Sequence, residues 1–197
     1  MEKNAYIFIG QSGSGKGTQV ALLIETLGRK EKGDVLYLET GRRFRELIQE
    51  DLYTAKKTKA LMDEGKLPPP FLGIHAWTHF LIEEYNGESA VIMDGTPRVP
   101  DEVPVLLSAA RFYGWKPHVI SIEVGDAWAH ERMKGRARPD DQDEEKVAHR
   151  IEWFHESVIP TIELLTASPE VTFHRINGEQ PIEAVHADIC RSLGLSV

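Results

Sequence analysis

Nine residues near the amino end carry the plainest chemistry in this chain: Gly10-Gln11-Ser12-Gly13-Ser14-Gly15-Lys16-Gly17-Thr18. They follow a compact apolar run at 5–9 and precede a stretch whose apolar residues (Val20, Leu23, Ile24, Leu27) recur at helical spacing. A glycine-rich string between a strand and a helix wraps with its backbone N–H groups inward. The positive end of the helix adds to the field, and a lysine supplies a mobile ammonium for β- and γ-phosphates. Gly13, Ser14, Gly15, Lys16, Gly17 and Thr18 are therefore the expected donor-phosphate contacts. Further along, Arg45, Arg98, Arg132, Arg136, Arg138 and Arg150 fall at expected loop and helix ends. Phosphoryl transfer between nucleotides gathers negative charge and needs positioning and neutralisation more than covalent chemistry. Arginine, planar, permanently charged and bidentate toward phosphate, suits that work.

The elements that must position these residues read as an alternation. Strands are expected at 5–9, 35–38, 90–93, 118–124 and 171–176. Helices are expected at 19–27, 41–49, 53–64, 71–85, 100–113, 125–134, 142–166 and 181–193. Strands this apolar, separated by helices, indicate a five-stranded parallel sheet covered on both faces, an α/β fold. Between the second and third strands the chain spends about fifty residues, more than one crossover requires, so a helical insertion is expected there.

The 197 residues suit one domain, and 41% apolar with 27% charged residues is an ordinary globular composition. Thirty-one acidic against 23 basic residues leave a net charge of −8, which argues against bulk binding to nucleic acid or an anionic membrane. An anion must be gripped by a local basic cluster. The single cysteine, Cys190, excludes an intrachain disulfide and a multi-cysteine zinc site and suits a reducing cytosol. Met1-Glu2-Lys3-Asn4 lacks the apolar stretch of a signal peptide, and no apolar run reaches membrane-spanning length. A cytoplasmic monomer with no nucleic-acid or membrane partner is the expectation.

One feature of the loop narrows the family. Gly17 separates Lys16 from the hydroxyl of Thr18, and Gly-x-x-Gly-x-Gly-Lys-Gly-Thr-Gln resembles the P-loop of adenylate kinases and their UMP/CMP kinase relatives. Thr40-Gly41-Arg42-Arg43-Phe44-Arg45 resembles the family's Thr-Gly-Asp-x-x-Arg, whose threonine and arginine hold the acceptor nucleoside monophosphate. Met62 to Pro68 resembles the segment whose backbone touches the acceptor base, which brings in Lys66, Leu67 and Pro68. Asp94-Gly95-Thr96-Pro97-Arg98 resembles Asp-Gly-Phe-Pro-Arg, in which the arginine clamps phosphate and the aspartate orients magnesium through water. Arg132, Arg136 and Arg138-Pro139-Asp140-Asp141 resemble the arginines and acid pair that flank a lid, and Arg150 the arginine one helix later. Ile176-Asn177-Gly178 resembles the Ile-Asp-Gly beside the donor base, with Gln180 next to it.

The resemblance implies a P-loop NTPase fold with a helical acceptor-binding insertion at about 40–70 and a minimal lid near 132–140. It implies reversible transfer of the ATP γ-phosphoryl to a nucleoside monophosphate with Mg²⁺. Lys16, Arg98, Arg132, Arg138 and Arg150 would be catalytic, with Arg132, Arg136 and Gln180 also on ATP. Thr40, Gly41, Arg45, Lys66, Leu67, Pro68, Gly95, Arg98, Glu102, Arg138 and Arg150 would meet the acceptor, and Thr18 and Asp94 the metal, partly through water. A kinase for another small acceptor and a non-catalytic nucleotide-binding regulator are the alternatives. A GTPase is disfavoured because no Asn-Lys-x-Asp string exists.

Four departures mark this chain. Only Ala137 separates Arg136 from Arg138, Asp141 and Arg150 lie one residue further apart than usual, Thr96 replaces an aromatic, and Glu102 stands where the family carries an amide that reads the base. A carboxylate only accepts hydrogen bonds. Its two oxygens would match guanine N1–H and N2–H₂ side by side, whereas a Glu102 turned to solvent would leave backbone near Leu67 and Pro68 to select adenine. AMP is the leading acceptor, with GMP also expected to be competent. His75 and His79, at i and i+4, read as a polar helix face, Trp77 as core, and the acidic run from Asp140 to Glu145 as a helix start.

Overall fold

A computed structural model describes residues 3–30, 35–64, 66, 68–135 and 143–196. Five parallel strands, β1 (Lys3–Ile9), β2 (Val35–Glu39), β3 (Ala90–Asp94), β4 (Trp115–Glu123) and β5 (Thr172–Asn177), form one sheet in the order β2-β3-β1-β4-β5. Strand β1 shows why both faces are covered. Ala5, Ile7 and Ile9 face one apolar cluster with Trp77, Leu81 and Leu106, while Tyr6 and Phe8 face another with Leu23, Leu27 and Ile189. Alternate residues point to opposite faces, so a strand apolar at every position must be sandwiched. Full burial of side chains such as Phe8 contributes about 1.5–3 kcal/mol each.

The helices are α1 (Lys16–Lys30), α2 (Thr40–Leu47), α3 (Tyr53–Asp63), α4 (Pro70–Glu84), α5 (Glu102–Tyr113), α6 (Asp126–Lys134), α7 (Glu144–Trp153), α8 (Ile159–Ala167) and α9 (Ile182–Ser192). Helices α1 and α9 cover one face, and α4, α5 and α8 the other. Local chemistry sets their ends. Pro70 opens α4 where its missing N–H costs nothing, Gly114 closes α5 in the left-handed conformation, and Asp143 caps α7 by accepting from Glu145 N and Lys146 N. The surplus between β2 and β3 is the helices α2, α3 and α4, the first two of which lie within 40–70.

Two differences from the expected elements have physical reasons. The single helix expected at 142–166 is two helices joined by a π-helical turn, Phe154–Val158. Pro160 lacks an N–H and its ring displaces the carbonyl one turn back, and the wider turn absorbs that mismatch. Strand β4 begins at Trp115, three residues before the expected start, because Pro117 is accommodated opposite Ala5. Proline in a sequence reads as a strand breaker, yet here it costs only one ladder donor. Trp77 is buried core, and His75 stacks on His79 on an exposed face. Among the described residues no group of three or more His, Cys, Asp or Glu could hold a metal, and no helix is long and apolar enough to cross a membrane.

Candidate active site

The carboxyl ends of β1, β2 and β3 open on a cleft of about 750 Å³. Parallel sheets place their ligands there, outside the strand ends. One wall is the loop from Ser12 to Thr18. Gly15 has φ +93° with nothing within 4 Å of where a Cβ would stand, so backbone conformation alone demands glycine. Gly13, at φ +84°, is also crowded, for a Cβ would lie 2.5 Å from the Ala129 carbonyl of α6. Lys16 Nζ donates to the Gly10 carbonyl at 2.8 Å and the Gln11 carbonyl at 2.9 Å. Ser14 Oγ is buried and has no hydrogen-bond partner among the described residues. The loop is tied to α6 by Gln11 Nε2, which donates to Asp126 Oδ1 at 2.9 Å, and His155 of the π turn meets the same carboxylate at 3.1 Å. The Gln11 bond, with His155 second, holds the Asp126 carboxyl below the usual range.

The facing wall is built from arginines and acids. Strands β2 and β3 end in register at Glu39 and Asp94. Glu39 Oε1 accepts from Arg45 Nη2 at 2.6 Å. Tyr37 Oη donates to Asp94 Oδ2 at 3.4 Å. Burial pushes the Asp94 carboxyl above its ordinary value, against the pull of Lys16 and Arg98. Arg98 Nε donates to the Gly95 carbonyl at 2.6 Å, and its guanidinium lies 5.8 Å from the Trp153 ring centre. Burial opposes the Arg98 charge and Asp94 and Glu102 favour it, while Arg150 and Arg45 are close enough to oppose it. Three guanidiniums therefore share one field, an arrangement that awaits anions.

Beside this wall a small recess of about 20 Å³ is lined by residues including Thr40, Pro68, Gly73, Gly95 and Glu102. Glu102 neither turns to solvent nor offers both oxygens. It is 5% exposed, and its Oε2 accepts from Thr96 Oγ1 at 2.6 Å and from the Arg98 N–H at 3.0 Å. Thr96, in the aromatic's place, is thus what pins the carboxylate. Oε1 remains on the side of Gly73, where a Cβ would lie 2.6 Å from it. Burial pushes the Glu102 carboxyl up, with the Thr96 and Arg98 bonds pulling the other way. Thr40 Oγ1 is buried without a hydrogen-bond partner among the described residues.

The cleft gathers Gly13, Ser14, Gly15, Lys16, Gly17, Thr18, Gly41, Arg45, Asp94, Arg98, Arg132 and Gln180 of the sequence-derived set. Arg132 lies 5.2 Å from the ring centre of Trp128, one turn earlier on α6. Gln180 Nε2 donates to the Asn177 carbonyl at 2.8 Å. Arg150 sits on α7 within the field of Arg98 and does not line the cleft, and Lys66, paired with Glu64 at 2.7 Å, lines neither recess. Leu67, Arg136, Arg138, Asp140 and Asp141 lie outside the described residues, as does most of the proposed lid. Tyr37, Glu39 and Trp128 also line the cleft and were not singled out from sequence. The alternation of β2 was the available signal for the first two, since Tyr37 and Glu39 share a strand face.

The chain matches the family model described as Adenylate kinase over residues 8–169. It is 31% identical over 188 residues to Adenylate kinase 1 of Synechocystis, covering 93% of each chain. It is 30% identical over 185 residues to Adenylate kinase of Trichodesmium erythraeum, covering 91% of this chain and 92% of the relative. To Adenylate kinase of Corynebacterium aurimucosum it is 31% identical over 186 residues, covering 91% of this chain and 98% of the relative.

Proposed function

The chain belongs to the adenylate kinase family, and from that premise we propose that it transfers the γ-phosphoryl of ATP reversibly to a nucleoside monophosphate, AMP first among them. The observation that carries this reading is that the phosphate loop and the Arg45–Arg98 wall open on the same cleft. The loop amides and Lys16 hold the donor phosphates. Arg45 and Arg98 hold the acceptor phosphate, with Arg150 adding positive charge near Arg98 as negative charge gathers. The α-phosphate oxygen of the acceptor attacks the γ-phosphorus, the bond to the β-phosphate oxygen breaks, and ADP leaves without a phosphoenzyme. Binding both nucleotides in one cleft makes the reaction effectively intramolecular, and fixed cations stabilise the charge in flight.

Thr18 and Asp94 are a hydroxyl and a carboxylate, hard oxygen donors suited to Mg²⁺ and its retained waters. When bound with ATP, the ion neutralises phosphate charge and orients the γ-phosphoryl. Asp94 ends β3 in register with Glu39 and accepts from Tyr37 Oη, so its carboxyl is held in place before substrate arrives. Helices α2 and α3, within 40–70, serve as the acceptor-binding insertion, and Arg132 opens the short lid at 132–140. Lys66, Leu67, Arg136 and Arg138 keep the backbone and lid contacts the resemblance implies. The protein works in the cytoplasm as a monomer.

Glu102 gives guanine no two-oxygen advantage over adenine. Pairing with guanine N1–H and N2–H₂ needs two carboxylate oxygens, and Oε2 already accepts two bonds. The remaining Oε1 accepts one N–H, such as that of the adenine 6-amino group. When Glu102 is protonated, Oε1 is the oxygen left to carry the proton, and it then donates to adenine N1. Guanine, with an N–H at that position, gains nothing from the protonated form. A coupled assay with ATP-Mg²⁺ and AMP, GMP, CMP, UMP and their deoxy forms tests the reading. AMP is expected to give the highest kcat/KM, and absence of transfer to every monophosphate would sink it.

A further inference from the structure

We propose that Glu39 is a positioning residue for Arg45, fixing which edge of that guanidinium meets the acceptor's phosphate; this rests on the reading of Arg45 as an acceptor contact. Arg45 lies four residues after Gly41 on α2, so the two share a helix face. Helical side chains lean back toward the amino end, which carries the guanidinium over Gly41 toward the strand that precedes the helix. Gly41 leaves that path open. A Cβ there would stand 3.3 Å from Arg45 Nη1, 3.9 Å from Arg98 Nη2 and 4.0 Å from Glu39 Oε1. The three groups therefore ring one small space.

Within that ring the division of labour is specific. Glu39 Oε1 takes Nη2 of Arg45 at 2.6 Å and leaves Nη1 beside Gly41. Glu39 itself is anchored as the last residue of β2, in register with Asp94. The Glu39 side chain is 27% exposed and that of Arg45 50%, so a long cationic side chain that would otherwise wander is held at its tip by an acid rooted in the sheet. The acid that the Thr-Gly-Asp pattern places one residue after Gly41 is Arg42 in this chain, and Arg42 turns to Glu46 at 2.8 Å. Glu39 is the acid beside Arg45. An arginine has five donors, so it can keep one bond to Glu39 while presenting two to a phosphate.

Glu39→Ala and Glu39→Gln test the assignment. The alanine variant should raise KM for AMP about tenfold with kcat and the ATP KM little changed, the size expected when one bond to a charged group is lost. The glutamine variant keeps an oxygen acceptor for Nη2 and should recover most of that loss. Equilibrium titration separates phosphate capture from structural damage: the alanine variant should weaken AMP binding and leave adenosine binding unchanged. An unchanged AMP affinity overturns the proposal. A tighter one also overturns it, because Glu39 would then be a competitor for Arg45 and not its support. These titrations need no turnover, so failure of wild-type transfer would count against the function and not against Glu39.

Discussion

The two halves of the cleft hold phosphate by different means. On the donor side Lys16 donates to carbonyls of its own loop, with Asp94 in its field. On the acceptor side each arginine rests on an acid or a carbonyl contributed by a strand end: Arg45 on Glu39, and Arg98 on the Gly95 carbonyl in the field of Asp94 and Glu102. A grip made of backbone is preformed once the chain turns correctly. A grip made of long side chains must be braced, and in an acidic protein the braces are carboxylates that would otherwise repel the substrate. The donor side is therefore expected to fail all at once when Lys16 is removed, and the acceptor side by degrees.

Lys16→Ala should show the largest effect, a fall in turnover of at least ~10²–10³, typical of losing one preorganised charge partner. Its melting temperature should stay near wild type, because the Lys16 ammonium donates to loop carbonyls at the cleft and packs into no apolar cluster. Near-normal transfer by the folded variant would erase the distinction between the halves.

Asp94→Asn should fall next, lowering turnover ~10-fold or more through loss of the metal-facing carboxylate. It should also be more heat-stable than wild type at neutral pH. The sign follows from burial: an acid whose folded pKa lies above its unfolded one binds its proton more tightly when folded. Stability is then lost as pH rises from the ordinary carboxylate range through the folded value. The asparagine variant escapes that loss, so its advantage should vanish as pH falls below the ordinary carboxylate range. An advantage independent of pH would show that Asp94 is not charged at a cost.

The smallest effect is expected at Glu102. Glutamine there can keep its carbonyl on Thr96 and the Arg98 N–H and turn its amide toward the base, donating to adenine N1. The AMP to GMP ratio of kcat/KM should rise severalfold, the size of about 1 kcal/mol for one net hydrogen bond. A ratio that does not move would remove Glu102 from base reading.

The same contrast explains what was legible beforehand. The donor loop was readable because a backbone grip leaves glycines at fixed offsets in one short stretch. The parallel sheet was readable because both faces of β1 are apolar. Arg45 and Arg98 were identifiable by resemblance, but their partners were not. Glu39 meets Arg45 only once a helix turn folds back over Gly41, and Glu102 meets Thr96 only once a turn brings six residues round. Neither reading of Glu102, both oxygens on the base or a turn to solvent, describes its bonds, since sequence shows a carboxylate but not which donors reach it first. Pro160 and Pro117 misled in opposite directions, one hidden inside an expected helix and one cutting an expected strand short.

The central claim, two separate phosphate grips in one cleft, is tested most directly by titrating ATP and AMP separately into Arg45→Ala and wild type. The account predicts AMP binding weakened at least ~10-fold, as for a lost charge-assisted phosphate contact, with ATP binding unchanged. Equal losses for the two nucleotides, or a loss confined to ATP, would contradict it.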